Sequence, residues 1–199
     1  MVLSLALSMM LMQQPQDAKN APLVCPVTLE AIGTTAGTID YAGTRYEMCC
    51  GGCPDGFKKE PATVLKNEKL KGKTYGVFLF DPITSARIDA KSAKGGSSDY
   101  KGTRYLFATA DEKTTFDADP AKYAAKTPEK ESLYCPVAGH AVKSYAAAGG
   151  FVDIKGTRYY TCCTNCLAKL KADATLADKT PAEQIKTPAA MDAPKPDSK

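Results

Sequence analysis

Apolar and polar residues alternate on either side of a glycine in three stretches of the chain. These stretches are 38-TIDYAGTRYEM-48, 98-SDYKGTRYLF-107 and 152-VDIKGTRYYT-161. Alternation with a period of two is typical of β-strands, and a glycine between two such runs supplies the positive φ angle of a tight turn. The pattern therefore predicts three β-hairpins, whose turns contain Gly43, Gly102 and Gly156.

Each predicted hairpin also places an aspartate across from an arginine. If the turns contain two residues, the opposed pairs are Asp40 with Arg45, Asp99 with Arg104, and Asp153 with Arg158. We interpret them as exposed cross-strand ion pairs, which contribute little to stability, rather than as an anion-binding site.

Short helices are expected after the hairpins. Pro54 suits a first helical turn, because its missing N–H group would have no helical partner there in any case. Phe57 and Phe116 are expected to face back onto their hairpins. Pro61 and Pro120 are expected to end one helix and begin another, since proline breaks a helix that it interrupts.

The same succession of patterns occurs three times, each time around a Gly-Thr-Arg-Tyr motif. We predict an α+β fold of three tandem small modules, each a β-hairpin followed by a cysteine knuckle and short helices. The predicted boundaries are 21–70, 75–127 and 130–180, and the middle module has no cysteine. A module of about 45 residues buries little apolar surface, so we expect it to need a metal, a disulfide or a neighbour.

The two ends of the chain differ from the modules. Residues 1–20 begin with an apolar run, 1-MVLSLALSMMLM-12, that is typical of a secretory signal, although no Lys or Arg precedes it. The alternative is a short apolar helix packed on the fold. A signal predicts export to the periplasm or secretion, and the alternative leaves a cytoplasmic protein. Residues 181–199 are rich in Pro, Ala and Lys, and we expect them to be disordered.

Composition argues against two classes of partner. The net charge of +4 is mild, and no cluster of Lys and Arg interleaved with aromatic residues favours nucleic-acid binding. No stretch reaches the roughly 18 consecutive apolar residues that a membrane-spanning helix needs, so we expect no membrane span in the mature protein.

The eight cysteines fall into two groups of the same shape. They are Cys25, Cys49, Cys50 and Cys53, and then Cys135, Cys162, Cys163 and Cys166. Each group has one distant cysteine and one tight cluster. Because this spacing occurs twice, it indicates metal ligands more strongly than disulfide bonds. If the second half of the knuckle is helical, the two cysteines of the Cys-x3-Cys segment can share a face, and the distant cysteine can fold back to them. Three converging thiolates make a soft site that suits Zn(II) or Cu(I).

The fourth ligand of such a site is open. Cys50 and Cys163 are candidates, but neighbours in sequence project in different directions. His140, the only histidine, follows Cys135 by five residues and is a further candidate, although an exposed loop residue is the simpler interpretation. A site of three sulfurs without a fourth protein ligand suits trigonal Cu(I), or an exchangeable ion with an open position.

Two of the three modules resemble a known family at these residues. The segments CPV…YAGTRYEMCCGGC…F…P and CPVAGH…IKGTRYYTCCTNC look like the YHS domain and its relative, the TRASH domain, which are small heavy-metal-associated modules. With the middle copy the resemblance spans residues 23–178. It implies a compact hairpin-plus-helix fold and a role in metal sensing, trafficking or resistance. It also implies metal binding by Cys25, Cys49 and Cys53, and by Cys135, Cys162 and Cys166.

The middle copy departs from the family pattern, because Asp81, Ala108 and Glu112 occupy its three ligand positions. Two carboxylates and an alanine would not hold a soft ion. A hard cation is one interpretation of Asp81 and Glu112, and charged surface residues are the simpler one. We interpret this copy as a structural spacer or as a surface for a protein partner.

Three functions fit the sequence. The first is a non-enzymatic metal-binding protein that traffics or buffers copper or zinc. The second is a protein–protein interaction module that zinc, or a disulfide such as Cys25 to Cys53, only stabilises. The third is thiol–disulfide exchange, because Cys50-x-x-Cys53 and Cys163-x-x-Cys166 have the spacing of redox dithiols. With a single histidine and no phosphate-binding loop or serine nucleophile motif, we expect no conventional enzyme.

Overall fold

The computed structural model describes residues 20–194, so the predicted signal in residues 1–20 lies outside the described residues except for Asn20. The described part combines short helices with three small β-sheets of six, three and two strands. The expectation of an α+β fold is therefore confirmed at this level.

All three predicted hairpins are present, and each is antiparallel. They consist of β1 (Gly37–Tyr41) and β2 (Thr44–Met48), β4 (Gly96–Tyr100) and β5 (Thr103–Phe107), and β9 (Gly150–Ile154) and β10 (Thr157–Thr161). The predicted register is confirmed, because each aspartate pairs with its arginine across the strands. Both residues of each turn have positive φ, as in Ala42 at 50° and Gly43 at 78°, which is the type I′ turn that suits the twist of a hairpin.

The aspartate–arginine pairs are less exposed than expected. Asp40 is fully buried and accepts from Arg45 Nε at 2.8 Å and Nη2 at 2.9 Å. The Arg158 side chain is only 2% exposed and stacks on Phe151, with 4.3 Å between its guanidinium carbon and the ring centre. The reason is that other parts of the chain cross the strands, so that Arg158 Nη2 also donates to the Lys126 carbonyl at 3.1 Å.

Five short helices follow the strands, and none in the described part of the chain is long and apolar enough to span a membrane. They are α1 (Cys53–Lys59), α2 (Pro61–Leu65), α3 (Ala110–Ala118), α4 (Pro120–Tyr123) and α5 (Thr164–Ala172). The predicted helix starts at Pro54, Pro61 and Pro120 are confirmed. Phe57 packs on Tyr46 and Phe116 packs on Tyr105, each with ring centres 4.9 Å apart, so both face their hairpins.

The first two hairpins share one sheet. Strand β3 (Gly76–Phe78) pairs antiparallel with β2 and parallel with β5, and so joins them. Strand β6 (Lys130–Ser132) pairs parallel with β10 and extends the third hairpin. Segments between the hairpins therefore contribute to the sheets.

The tail was expected to be disordered over 181–199, and the structure differs for residues up to 194. Strand β11 (Met191–Asp192) pairs antiparallel with β1 at one edge of the six-stranded sheet. The backbone N–H groups of Lys186 and Glu131 each donate to the other's carbonyl at 2.8 Å. Edge strands carry backbone groups without partners, and the tail satisfies them, which its composition did not indicate.

Apolar packing forms one core around the second and third hairpins and another around the first. The larger core contains Phe78, Phe80, Tyr105, Phe107, Phe116, Cys135, Tyr145, Phe151 and Tyr160. The other contains Cys25, Ile39, Tyr41, Tyr46, Met48, Cys53 and Phe57. A smaller third cluster contains Tyr159, Leu170 and Ala177. Each of the two larger cores includes the first cysteine of one group, which anchors that cysteine in position.

Candidate metal centres

The first cysteine of each group lies in a tight loop that folds back on itself. The backbone N–H of Cys25 donates to the Glu30 carbonyl at 2.8 Å, and Leu29 N–H donates back to the Cys25 carbonyl at 2.8 Å. Cys135 is in β7 (Tyr134–Cys135), which pairs with β8 (His140–Ala141), and Gly139 N–H donates to its carbonyl at 2.8 Å. Leu29 and Gly139 both have positive φ, at 69° and 73°, which closes the two loops in the same way.

The other two cysteines of each group lie where a hairpin leads into a helix. Cys49 follows β2 and Cys53 begins α1, whereas Cys162 follows β10 and Cys166 is in the first turn of α5. A helix begins in the second half of each knuckle, at Cys53 and at Thr164, and the first cysteine of each Cys-x3-Cys pair precedes it. The turn nevertheless brings them together, with Sγ atoms 3.9 Å apart in the first group and 3.7 Å apart in the second.

The three predicted sulfurs of each group converge on one point. In each triad, Cys25, Cys49 and Cys53 or Cys135, Cys162 and Cys166, the Sγ atoms all lie within 4.8 Å of one another. Sulfurs bound to one zinc ion at about 2.3 Å in a tetrahedron would be about 3.8 Å apart, so the measured separations fit a thiolate site. Two cysteine triads compatible with metal binding are therefore present in the described part of the chain.

The first thiol of each triad receives hydrogen bonds that favour its ionisation. Burial alone would raise the pKa of Cys25, but hydrogen bonds from the backbone N–H groups of Thr28, Cys49 and Val27 outweigh the effect of burial. The pKa of Cys25 is therefore lowered. Burial likewise opposes ionisation of Cys135, and backbone N–H groups that include Cys162 lower its pKa overall. In each triad the first cysteine is therefore a buried thiol whose ionisation is favoured by its backbone surroundings.

The remaining thiols of the second triad resist ionisation. Burial raises the pKa of Cys162, and its hydrogen bond and charge interaction with Cys135 raise it further. The pKa of Cys166 is raised by burial and by its contacts with the neighbouring sulfurs. Three thiolates this close repel one another, and a bound cation would remove that repulsion and release the protons.

In the middle of the chain Asp81 takes the place of the first cysteine, and the expectation of a surface residue is wrong. Asp81 is 1% exposed, and its Oδ1 accepts from the N–H groups of Ile83 at 2.8 Å and Thr84 at 3.0 Å. Its Oδ2 accepts from Ala108 N–H at 3.4 Å. These donors stand two, three and twenty-seven residues beyond Asp81, as Val137, Ala138 and Cys162 stand beyond Cys135. The carboxylate therefore occupies a nest of N–H groups like the one that holds the thiol.

Glu112 likewise has a role within the fold. Its Oε2 accepts from Thr109 N–H at 2.7 Å, and its own N–H donates to Thr109 Oγ1 at 3.3 Å, which is a capping box at the start of α3. No group of three mutually close candidate ligands in residues 20–194 includes Asp81, Ala108 or Glu112. The hard-cation interpretation of Asp81 and Glu112 gains no support from this geometry.

One sulfur of the first triad is also part of a disulfide. Cys53 is bonded to Cys50, while Cys25 and Cys49 have free thiols. The disulfide considered from the sequence, Cys25 to Cys53, is therefore not the one formed. A sulfur in a disulfide is not a thiolate, so Cys53 can bind a metal only after reduction. The second group has four free thiols, namely Cys135, Cys162, Cys163 and Cys166.

The structure brings none of the three candidate fourth ligands into a triad. Cys163 is exposed and caps α5, and its Sγ accepts from Cys166 N–H at 3.4 Å, which lowers the pKa of Cys163. His140 is exposed, and its Nδ1 lies 3.0 Å from the carbonyl of the adjacent Ala141. Cys50 is bonded to Cys53. Each triad therefore has three sulfurs and none of these three fourth ligands, and in the first triad Cys53 becomes available only after reduction.

Thr28 was missed by the sequence analysis. Its Oγ1 lies 3.1 Å from Cys49 Sγ, so the hydroxyl is positioned to orient that sulfur. The equivalent position beside Cys135 is Ala138, so the two triads differ at this contact. Nothing in the spacing of the cysteines indicates a hydroxyl here.

A cleft with a volume of about 410 Å³ lies elsewhere on the molecule and is lined by residues such as Tyr46, Tyr75 and Lys101. No cysteine is among the residues that line it. The thiol geometry, and not the size of a cleft, therefore marks the candidate site.

Fold and site together define a small α+β protein with two cysteine triads of metal-site geometry. Comparison of the chain with protein-family models, with curated proteins and with solved structures found no match.

Proposed function

We propose that this chain is a non-enzymatic metal-binding protein that holds one soft cation, Zn(II) or Cu(I), at each cysteine triad and serves in metal trafficking or buffering. The observation that carries the proposal is the convergence of three sulfurs within 4.8 Å of one another at each of two places. Thiolates prefer these ions to harder cations such as Mg²⁺ or Ca²⁺.

Exchange of the ion is supported by the missing fourth protein ligand. Structural zinc sites are usually closed tetrahedra, whereas within residues 20–194 these triads have three sulfurs and no further His, Cys, Asp or Glu ligand within the same distance. Cys135 is fully buried, but Cys162 and Cys166 are partly exposed, so an incoming thiol or a partner protein can reach the ion. An accessible three-sulfur site suits transfer better than permanent retention.

A purely structural role for the metal is less well supported. The middle hairpin has the same register and turn as the others, and its helix α3 packs on it through Phe116, with no sulfur present. Asp81 fills the nest that a cysteine fills elsewhere. A metal is therefore not needed to form this local arrangement.

The wider organisation we propose is three tandem modules similar to YHS or TRASH domains, at residues 21–70, 75–127 and 130–180. The shared hairpin register, the shared turn and the equivalent surroundings of Cys25, Asp81 and Cys135 support it. The middle module serves as a spacer or as the surface for a protein partner.

An exported location, in the periplasm or outside the cell, completes the proposal. The apolar start of the sequence supports it, and so does the Cys50–Cys53 disulfide, because disulfides persist mainly in oxidising compartments.

Stoichiometric titration of the fully reduced full-length chain tests the assignment of the two sites. We expect Cys49→Ser to abolish metal binding at the first triad only, and Cys162→Ser to abolish it at the second only. Each single variant should bind one ion fewer than the parent, and the double variant should bind none at these sites. Two-dimensional NMR of each variant without metal should retain the dispersed amide signals of the folded chain. Unchanged stoichiometry in both single variants would remove the basis of the proposal.

A further inference from the structure

Cys50, Thr109 and Cys163 occupy equivalent positions after the three hairpins, and each contacts the residue three positions later. Cys50 is bonded to Cys53, with Cα atoms 5.5 Å apart. Thr109 and Glu112 form the reciprocal capping box of α3. Cys163 caps α5, and its Sγ accepts from Cys166 N–H at 3.4 Å. The chain therefore places these two positions side by side across the first turn of a helix, whichever residues occupy them.

We propose that Cys163 and Cys166 are a redox-active dithiol that forms a disulfide by exchange with a low-molecular-weight disulfide and thereby withdraws Cys166 from the second triad. The inference rests on the proposed metal function for its consequence. The dithiol itself rests on the bonded equivalent pair, Cys50 and Cys53, and on the exposure of Cys163.

The exchange proceeds in two balanced steps. The exposed Cys163 sulfur attacks one sulfur of the incoming disulfide, a Cys163 mixed disulfide forms, and the first small thiolate leaves. Cys166 then attacks Cys163 Sγ, the Cys163–Cys166 bond forms, and the second small thiolate leaves. Two protein thiols lose two electrons, the small disulfide gains them, and the two protons end on the two small thiols.

The consequence for the metal follows from the shared sulfur. Cys166 Sγ is 3.7 Å from Cys162 Sγ and belongs to the triad, whereas Cys163 does not. Once Cys166 is bonded to Cys163, only Cys135 and Cys162 remain as thiol ligands. The first triad already has this arrangement, because Cys53 is bonded to Cys50 while Cys25 and Cys49 stay free. The first triad therefore has the arrangement expected of the oxidised state, and the second triad has the arrangement of the reduced state.

A matched substitution separates the dithiol from the triad. Cys163→Thr removes the attacking sulfur and replaces it at the N-cap with a hydroxyl oxygen, the acceptor that Thr109 supplies at the equivalent position of α3. It leaves Cys135, Cys162 and Cys166 in place. Cys50→Ser is the control, because it removes the disulfide partner of Cys53 in the first group and leaves the four cysteines of the second group unchanged.

The experiment uses the full-length chain, reduced, freed of reductant, loaded with Zn(II) and then treated with oxidised glutathione in the absence of oxygen. A chromogenic chelator reports released zinc, and fragmentation mass spectrometry of alkylated residues 159–169 locates the disulfide. We expect the parent and Cys50→Ser to form the Cys163–Cys166 bond and to lose zinc from the second triad. Cys163→Thr should keep that zinc at the same ratio of oxidised glutathione.

Two results would overturn the inference while leaving the metal function intact. One is release of the second zinc from Cys163→Thr as readily as from the parent, and the other is a Cys162–Cys166 bond in the parent. If none of the three reduced proteins, the parent and the two variants, takes up zinc, the proposed metal function fails. The disulfide map then still decides whether Cys163 and Cys166 form the dithiol, and the claim that it controls metal binding fails with the metal function.

Discussion

Cys25, Asp81 and Cys135 each accept hydrogen bonds from a nest of backbone N–H groups. Asp81 shows this most directly, because its carboxylate is buried and accepts from three backbone N–H groups. Cys25 and Cys135 receive equivalent donors, which lower the pKa of both thiols against the effect of burial. The position therefore contributes to folding through these hydrogen bonds and to metal binding only where it carries sulfur.

Substitutions at Cys135 should separate these two contributions. Cys135→Asp reproduces the middle copy, so we expect the free energy of unfolding without metal to stay close to that of the parent. Cys135→Ala leaves the N–H groups without an acceptor, which should cost about 1–3 kcal/mol. Both variants should lose metal at the second triad. Denaturant unfolding and metal titration measure the two effects, and equal destabilisation by Asp and Ala would contradict the nest.

Glu131 is a buried carboxylic acid that the metal sites do not use. It is 4% exposed, accepts from the hydroxyls of Tyr145 and Tyr160, and lies near the charge of Arg158. Burial raises its pKa to about 7 from an ordinary value of 4.5, and the hydrogen bonds and Arg158 only partly oppose this. Because the folded state binds the proton more tightly, this contribution to stability is complete below pH 4.5 and is lost as pH rises through about 7.

The corresponding variant is Glu131→Gln, which keeps a carbonyl acceptor and removes the titration. We expect the parent to lose on the order of 3 kcal/mol of unfolding free energy between acidic and mildly alkaline pH from this group. The variant should show a flatter profile over the same range. Urea unfolding of both proteins at several pH values measures the difference, and parallel profiles would show that Glu131 is not the titrating group.

At the scale of elements, the three hairpins share a turn but differ in its surroundings. A Cβ added at Gly156 would meet no atom within 4 Å. At Gly43 it would lie 3.2–3.4 Å from the side chains of Tyr160, Phe80 and Phe78. At Gly102 it would lie 2.2 Å from the ring of Tyr75. The same turn conformation therefore has free space for a Cβ at Gly156, close side-chain contacts at Gly43 and no room for a Cβ at Gly102.

Alanine substitution at these glycines should give a graded series. Gly156→Ala should cost about 1–2 kcal/mol from backbone strain alone, because φ is +80°. Gly43→Ala should cost more, since three aromatic side chains must also shift. Gly102→Ala should cost the most, because Tyr75 must leave its place on the turn. Thermal or denaturant unfolding ranks the three, and equal losses would contradict the packing described for the turns.

The local sequence pattern was enough to predict the hairpins. It was not enough to predict how the strands join into sheets, or every feature of the candidate site. The alternation around Gly43, Gly102 and Gly156 predicted strands and register, because both depend on neighbouring residues. The cysteine spacing predicted which sulfurs meet. The burial of Asp81 depends on contacts with segments distant in sequence, such as the Ala108 backbone, which no local pattern encodes. The Cys50–Cys53 disulfide is local, and the Cys-x-x-Cys spacing indicated a dithiol there.

At the scale of the whole molecule, the three hairpins are joined by shared strands and a shared core. Strand β3 unites the first two hairpins, and Phe80 packs on both Phe151 and Tyr160 of the third, with ring centres 5.3 Å and 5.7 Å apart. The tail returns to the first hairpin through β11 and to β6 through Lys186. The described chain should therefore unfold as one unit.

Deletion of residues 181–199 should destabilise regions far apart in sequence. It removes the paired N–H groups of Lys186 and Ala193 and the ion pair between Lys58 and Asp192. With about 0.5–1.5 kcal/mol for each hydrogen bond lost, we expect a loss of about 2–4 kcal/mol. Hydrogen exchange should speed up in both β1 and β6. Deletion of residues 195–199 alone is the control, and equal stability of the two deletions would contradict the role of the tail.

The most direct test of the metal claim is elemental analysis combined with a free-thiol count on the full-length protein. The protein would be loaded with zinc or Cu(I) before and after reduction, and excess metal would be removed. The account predicts one bound ion before reduction, because Cys53 is in a disulfide, and two after reduction, one for each triad. Thiol-blocking reagents should release both. A fully reduced protein whose eight cysteines all react as free thiols and that retains no metal would contradict the account.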